Sequence, residues 1–153
     1  MDIEIKPMDY KRDIPSIVIL EKELFDDPFL RGQLYFYHKK YETFASYVAI
    51  IDNSIVGYVF TIFEEENLHI YTIGVKREFQ RQGIARDLLR KVKETAVERI
   101  LPIVLEVSMD NLAALELYTS EGFVRLGSEE MYYPDESTAQ FMMWKPQDND
   151  IID

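Results

Sequence analysis

The stretch from Leu68 to Val107 constrains the fold most. LHIYTIGV is an apolar run of strand length, FQRQGIARDLL sets polar residues and one glycine at the mouth of a helix, and IVLEV is a second short apolar run after Pro102. Ala85, Leu88, Leu89, Val92 and Ala96 recur at helical spacing, so a helix over Ile84 to Glu98 buries one stripe. Ile103 to Val107, short and nearly all apolar, reads as a strand covered on both faces. The unit is therefore strand, polar loop, helix, strand.

The remaining chain supplies hairpins. Ile3 and Ile5 alternate with charges and predict a short strand. Asp9 to Leu24 is helical in spacing, with Pro15 requiring an early first turn. Asp26-Asp27-Pro28-Phe29 breaks it, and a second short helix is expected over Phe29 to Lys39. Phe44 to Ile51, Ile55 to Phe63 and Leu68 to Val75 read as three strands, with turns at Asp52-Asn53 and Glu64 to Asn67. Asp110 is placed to cap a helix running through Glu121, and Gly122 suits its C-terminal end. Phe123 to Tyr132 and Thr138 to Trp144 close the chain as two strands joined by Pro134-Asp135-Glu136-Ser137. The order βααβββαβαββ predicts an α+β domain with a mixed, mostly antiparallel sheet flanked by helices. Residues 1–145 are expected to form one domain and 146–153 a flexible acidic tail.

Composition narrows the function. With no cysteine, the chain forms no disulfide or thiolate metal site and no acyl-cysteine. The two histidines, His38 and His69, have no paired ligand spacing, and no metal is expected. A net charge of −11 argues against general nucleic-acid binding. The N-terminus does not resemble a signal peptide and no apolar run reaches membrane-spanning length, so a cytoplasmic protein without a membrane partner is expected. Charge is uneven, however. From Lys76 to Arg99 there are eight basic residues against four acidic ones, a net of +4. That segment is either a solvated helix face or a place for an anion.

The first turn of a helix has unpartnered backbone N–H groups and the positive end of the macrodipole. Gly83 lets a ligand approach the backbone closely, and Arg81 and Arg86 add charge. The loop lacks the GxxxxGK[ST] and GxGxxG patterns, so it is neither a nucleoside-triphosphate loop nor a dinucleotide fingerprint. On these residues alone it is an anion cradle or a plain strand-to-helix turn. Glu106 interrupts an apolar strand and is either a strand-end charge or a cleft carboxylate with base character. Asn111 and Tyr118, seven residues apart, share one face of a helix.

Gln80-Arg81-Gln82-Gly83-Ile84-Ala85 resembles the pyrophosphate-binding loop of the GNAT N-acetyltransferases, Gln/Arg-x-x-Gly-x-Gly/Ala. The resemblance covers Asp2 to Lys145. Within that superfamily, LEVSMDNLAALELYTSEGF followed by MYYP is similar to the ribosomal-protein-alanine N-acetyltransferases and archaeal protein N-terminal acetyltransferases. The resemblance implies the GNAT fold and acetyl-CoA as cosubstrate. It implies a coenzyme site of Ile73, Gly74 and Val75 on a splayed strand, the loop Gln80, Arg81, Gln82, Gly83, Ile84, Ala85 and Arg86, and Asn111 and Tyr118. A backbone N–H near Val75 would stabilise an oxyanion. Gly74 is read as a bulge or an ordinary strand glycine. Glu106 would take the amine's proton, directly or through water, and Tyr118 would protonate the departing thiolate.

The same resemblance places the acceptor, a protein or peptide N-terminus, between Phe25 to Phe29 and Met131 to Pro134. Phe25 and Phe29 would shape the first-residue pocket, with core contacts of a short hairpin and a helix as the alternative, and Tyr132 and Tyr133 would contact the acceptor backbone. His69 is read as a packed or surface histidine, with a second base as the alternative. The expected activity is acetyl transfer to N-terminal amines, ribosomal proteins among the implied acceptors, by direct attack in a ternary complex. The alternatives are acetylation of a small-molecule amine or lysine side chain, and a non-catalytic CoA-binding subunit.

Overall fold

The element order follows from the hydrophobic periods read above. The structure, a computed structural model, describes residues 2–147. β1 (Glu4–Pro7) leads into α1 (Tyr10–Leu24) and α2 (Arg31–Lys40). Three strands follow, β2 (Tyr47–Ile51), β3 (Ser54–Glu64) and β4 (Asn67–Val75). A short 3-10 turn (Arg77–Phe79) precedes α3 (Ile84–Arg99), β5 (Ile103–Ser108), α4 (Leu112–Ser120), β6 (Val124–Glu129) and β7 (Ala139–Trp144). The seven strands form one sheet in the order β1-β2-β3-β4-β5-β7-β6, with β4 and β5 parallel and every other neighbouring pair antiparallel.

Two apolar layers cover the sheet. On one face α3 buries Ile84, Leu88, Leu89, Val92 and Ala96 against Val59, Leu68, Ile70, Ile103 and Leu105. Leu115 and Tyr118 of α4 join this layer. On the other face Ile14, Ile17 and Val18 of α1 and Leu34 of α2 pack on Val48, Tyr58, Phe60 and Ile62. Each such aliphatic side chain stabilises the fold by about 1.5–3 kcal/mol.

Several boundaries differ from the expected ones for local reasons. α1 starts at Tyr10, because Asp9 caps the helix through the Arg12 N–H and the Asp13 carboxylate reaches back to the Asp9 N–H at 2.8 Å, and Pro15 therefore lies inside the helix, not in its first turn. α2 starts at Arg31, since the Leu30 N–H is held by the Gln33 side chain at 2.8 Å. β2 starts at Tyr47 because the Ser46 hydroxyl, not its backbone, bridges to Thr61. α4 is capped by Asn111, whose Oδ1 accepts from the Ala114 N–H at 3.2 Å, and not by Asp110. β6 stops at Glu129, and the chain turns at Met131 with φ of 54°. The expected tail falls outside the described residues beyond Gln147. Among the described residues no helix is long and apolar enough to cross a membrane.

Candidate active site

The site begins where two parallel strands part. β4 and β5 pair from Leu68 and Ile103 to Ile70 and Leu105. Beyond that, Tyr71 to Val75 follows β3, and Glu106 to Ser108 follows β7. The register between β3 and β4 jumps here: Phe60 faces Thr72 while Thr61 faces Ile70, so Tyr71 is an extra residue. The bulge is therefore at Tyr71 and not at Gly74, which pairs regularly with Tyr58. Gly74 is small for another reason. A Cβ there would meet the Tyr58 hydroxyl oxygen at 2.5 Å and Leu24 at 2.9 Å.

The gap is lined by backbone polar groups. The Lys76 N–H donates to the Val56 carbonyl at 2.7 Å. Because hydrogen-bonded and non-bonded pairs alternate in an antiparallel ladder, Gly74 and Thr72 take the bonds to β3, and Ile73 and Val75 turn their N–H and C=O toward the gap. The Val75 carbonyl accepts from the Gln80 side chain at 2.9 Å, which ties the following loop to the strand.

At the helix mouth, Arg81 and Gly83 both have left-handed φ, 63° and 86°. Gly83 is the N-cap residue and offers no side-chain cap, so the first-turn N–H groups of α3 face outward. A Cβ on Gly83 would stand in open space, so its φ is what favours glycine. Successive N–H groups in such a turn form an anion-sized concavity. The basic segment is less available than its charge implies. Arg86 (2.5 Å), Arg90 (3.2 Å) and Lys93 (3.3 Å) all pair with the buried Glu121 carboxylate. Burial would raise that carboxyl, but hydrogen bonds from Arg90 and Arg86 and the charge of Lys93 outweigh it and hold it down at about 2. Arg81 remains exposed beside the glycine.

Glu106 lies on the α1/α2 face of the sheet. Its Oε2 is 2.6 Å from His69 Nε2, and His69 Nδ1 is 2.5 Å from Glu64 Oε1. Burial alone would lower the imidazolium, yet Glu106 and Glu64 outweigh it and hold the ring above its ordinary value. His69 is thus neither a simple packed nor a surface histidine, but the centre of a Glu64–His69–Glu106 chain. Tyr71 stands edge-on to His69 at 4.6 Å, stacks on Phe29 at 6.0 Å and meets Tyr37 at 4.8 Å. Phe25 is half-buried at the C-terminal end of α1. Tyr132 and Tyr133 contact each other edge to face at 4.9 Å, and burial, with the Glu106 charge second, raises the pKa of both phenols.

Tyr118 lies in the α3/α4 layer, on the opposite face of the sheet from Glu106. It is 4 % exposed, and burial pushes its phenol far above the ordinary value, with Tyr133 adding to the shift. Asn111 spends its Oδ1 on the cap of α4, and that bond leaves its NH2 group unused. Glu64, Tyr37 and Tyr71 were missed in the sequence. A register count across the Glu64 to Asn67 turn is the signal that brings Glu64 to His69.

The profile of the acetyltransferase (GNAT) family matches residues 14–123. An N-alpha-acetyltransferase of Saccharolobus solfataricus is 32% identical over 119 residues, 69% of this chain and 71% of the relative. A putative [ribosomal protein bS18]-alanine N-acetyltransferase of Bacillus subtilis is 28% identical over 135 residues, 86% of this chain and 88% of the relative. The crystal structure of the NatC complex bound to Gag peptide and CoA contains a chain that superposes with a TM-score of 0.87 at 22% identity, covering 96% of this chain and 100% of that one. The splayed parallel pair, the glycine at the helix mouth and these likenesses agree, and the chain belongs to the acetyltransferase (GNAT) family.

Proposed function

We propose that this chain transfers the acetyl group of acetyl-CoA to the N-terminal amine of a protein or peptide, with Glu106 as base and Tyr118 as acid. The observation that supports the reading is that Glu106, just past the point where β4 and β5 part, and Tyr118 lie on opposite faces of the sheet. An acyl transfer needs a proton taken on one side and delivered on the other.

The residues present fit the coenzyme. The uncapped first turn of α3, with Gly83 and Arg81, suits the pyrophosphate, Ile73 and Val75 offer backbone groups to the arm, and the NH2 of Asn111 lies at the start of α4. Acetyl-CoA supplies an activated thioester carbonyl. Glu106 accepts a proton from the amine, directly or through water, as the nitrogen bonds to the acyl carbon. The C–S bond breaks, and Tyr118 donates its proton to the sulfur. Glu106 returns a proton to solvent and Tyr118 regains one, so the protein is restored. The Val75 N–H faces the gap where the acyl oxygen takes charge.

Phe29, Tyr71 and Tyr37 wall the acceptor side, and Tyr132 and Tyr133 close it. The relatives named for N-terminal amines of proteins favour an N-terminal acceptor over other amines, and ribosomal proteins are one class to test. The test is acetyl transfer to peptides varied at residues one and two, with free lysine and polyamines as controls. Transfer to particular peptide N-termini is expected. Transfer confined to the small amines moves the function to those substrates. CoA binding without transfer leaves a coenzyme-binding subunit.

A further inference from the structure

Among the buried ionisable groups that the chemistry above leaves unused, Glu21 ties together the most elements. Glu21, near the end of α1, is 1 % exposed. Its Oε1 accepts the Phe29 backbone N–H at 2.9 Å. Its Oε2 accepts the Thr72 hydroxyl at 2.7 Å and the Tyr58 hydroxyl. One carboxylate thus joins four elements: α1, the loop after it, β3 and β4. The missing side chain of Gly74 is what admits the Tyr58 hydroxyl to this point. Burying a carboxylate is costly, and three donors offset the cost.

From this geometry we infer that Glu21 is a positioning residue that sets acceptor selectivity. Resting on the acetyltransferase reading above, the inference assigns Glu21 the task of fixing the acceptor wall relative to the strand that carries the acyl group. Phe29 is held by its own N–H, and its ring stacks on Tyr71, the residue preceding Thr72. The loop and β4 therefore meet at two points, one polar and buried, one aromatic and facing the pocket. Without the polar point, the loop from Phe25 to Leu30 is attached at that place by ring contact alone. Such a contact has little directional preference, so the first-residue pocket changes shape. The coenzyme loop from Gln80 to Arg86 makes none of these bonds and is tied instead to the Val75 carbonyl, although Gly74 on β4 lies against the Tyr58 hydroxyl.

The test compares wild type with Glu21→Gln and Thr72→Val in steady-state kinetics for both substrates, with amide exchange read at Phe29. Glutamine keeps one oxygen for the Phe29 N–H but turns an NH2 toward two hydroxyls that must reverse. The peptide KM is expected to rise about tenfold in Glu21→Gln, roughly the loss of one hydrogen bond. First-residue preference should flatten, and the acetyl-CoA KM should stay within about twofold. Exchange at the Phe29 amide should accelerate about tenfold. Thr72→Val should move the same quantities in the same direction by less, and it decides the matter if Glu21→Gln does not fold. Equal shifts in both KM values, or unchanged peptide selectivity with unchanged Phe29 protection, overturn the inference. If wild type acetylates no peptide, the N-terminal reading fails separately, and Phe29 protection alone decides whether Glu21 holds the loop.

Discussion

His69 and Glu106 stand on neighbouring parallel strands with Nε2 and Oε2 2.6 Å apart, spanning the last paired level of those strands, Ile70 with Leu105, from one side to the other. The base proposed for the reaction is therefore held by the His69 ring instead of facing water freely. Replacing Glu106 by Gln should lower kcat by about 10²–10⁴, the range for a lost general base, with CoA affinity nearly unchanged. Steady-state rates and calorimetric CoA titration check both halves. Full turnover in Glu106→Gln removes the assignment.

The same ion pair makes stability depend on pH. The folded pKa of His69 is raised by its carboxylate partners. Its contribution is thus fully present below the unfolded histidine value of about 6.5 and is lost as pH rises through the higher folded value. Denaturant unfolding of wild type and His69→Gln should show a gap that is widest below the unfolded histidine value of about 6.5 and narrows as pH rises above it. A gap that widens with pH contradicts the charged state assigned to the ring.

Glu121 gives the opposite sign. Its folded pKa of about 2 lies below the unfolded carboxylate value, so its contribution is present above that value and is lost as pH falls toward 2. Arg90 is 59 % exposed and Arg86 36 %, so screening reduces the benefit. Glu121→Ala should cost on the order of 2 kcal/mol at neutral pH, measured by denaturant midpoint, because three cations lose their shared partner. No change in midpoint would mean that solvent serves the three cations equally well.

Two glycines should respond differently to alanine. Gly83→Ala meets no neighbour and strains only its φ of 86°, at about 1–2 kcal/mol. It should also weaken CoA binding if the coenzyme lies against that turn. Gly74→Ala drives a Cβ into the Tyr58 hydroxyl and should cost about 1–3 kcal/mol or more by overpacking. Thermal unfolding of both, with CoA titration of the folded variants, separates the conformational effect from the steric one.

The elements were legible because apolar residues repeat at helical or strand spacing along each one, as Leu88, Leu89 and Val92 do in α3. The helix-mouth glycine was legible because its neighbours in sequence are also its neighbours in space. The ion-paired groups were not. Glu121 lies 35 residues from Arg86, and only the packing of α4 beside α3 brings them together, so Arg86 read as spare positive charge. Glu21 lies 51 residues from Thr72 and looked like one more acidic residue on a helix. Glu106 and His69 were each visible, but their contact needs the register of a parallel pair, which no local pattern encodes.

The extra residue at Tyr71 works as a change of phase in β4. Before it, odd positions such as His69 look toward α1 and α2; after it, even positions such as Thr72 and Gly74 do. One strand thus carries two reading frames, the first serving the acceptor wall and the second serving the gap and the Glu21 contacts. A single deletion at Tyr71 would leave Ile70 and Thr72 as consecutive partners of Thr61 and Phe60, so Ile73 and Val75 would stay in the α3 layer and only the joint would be lost. Descendants of such a chain can vary either frame by substitution, but they keep or lose the joint between them as a unit.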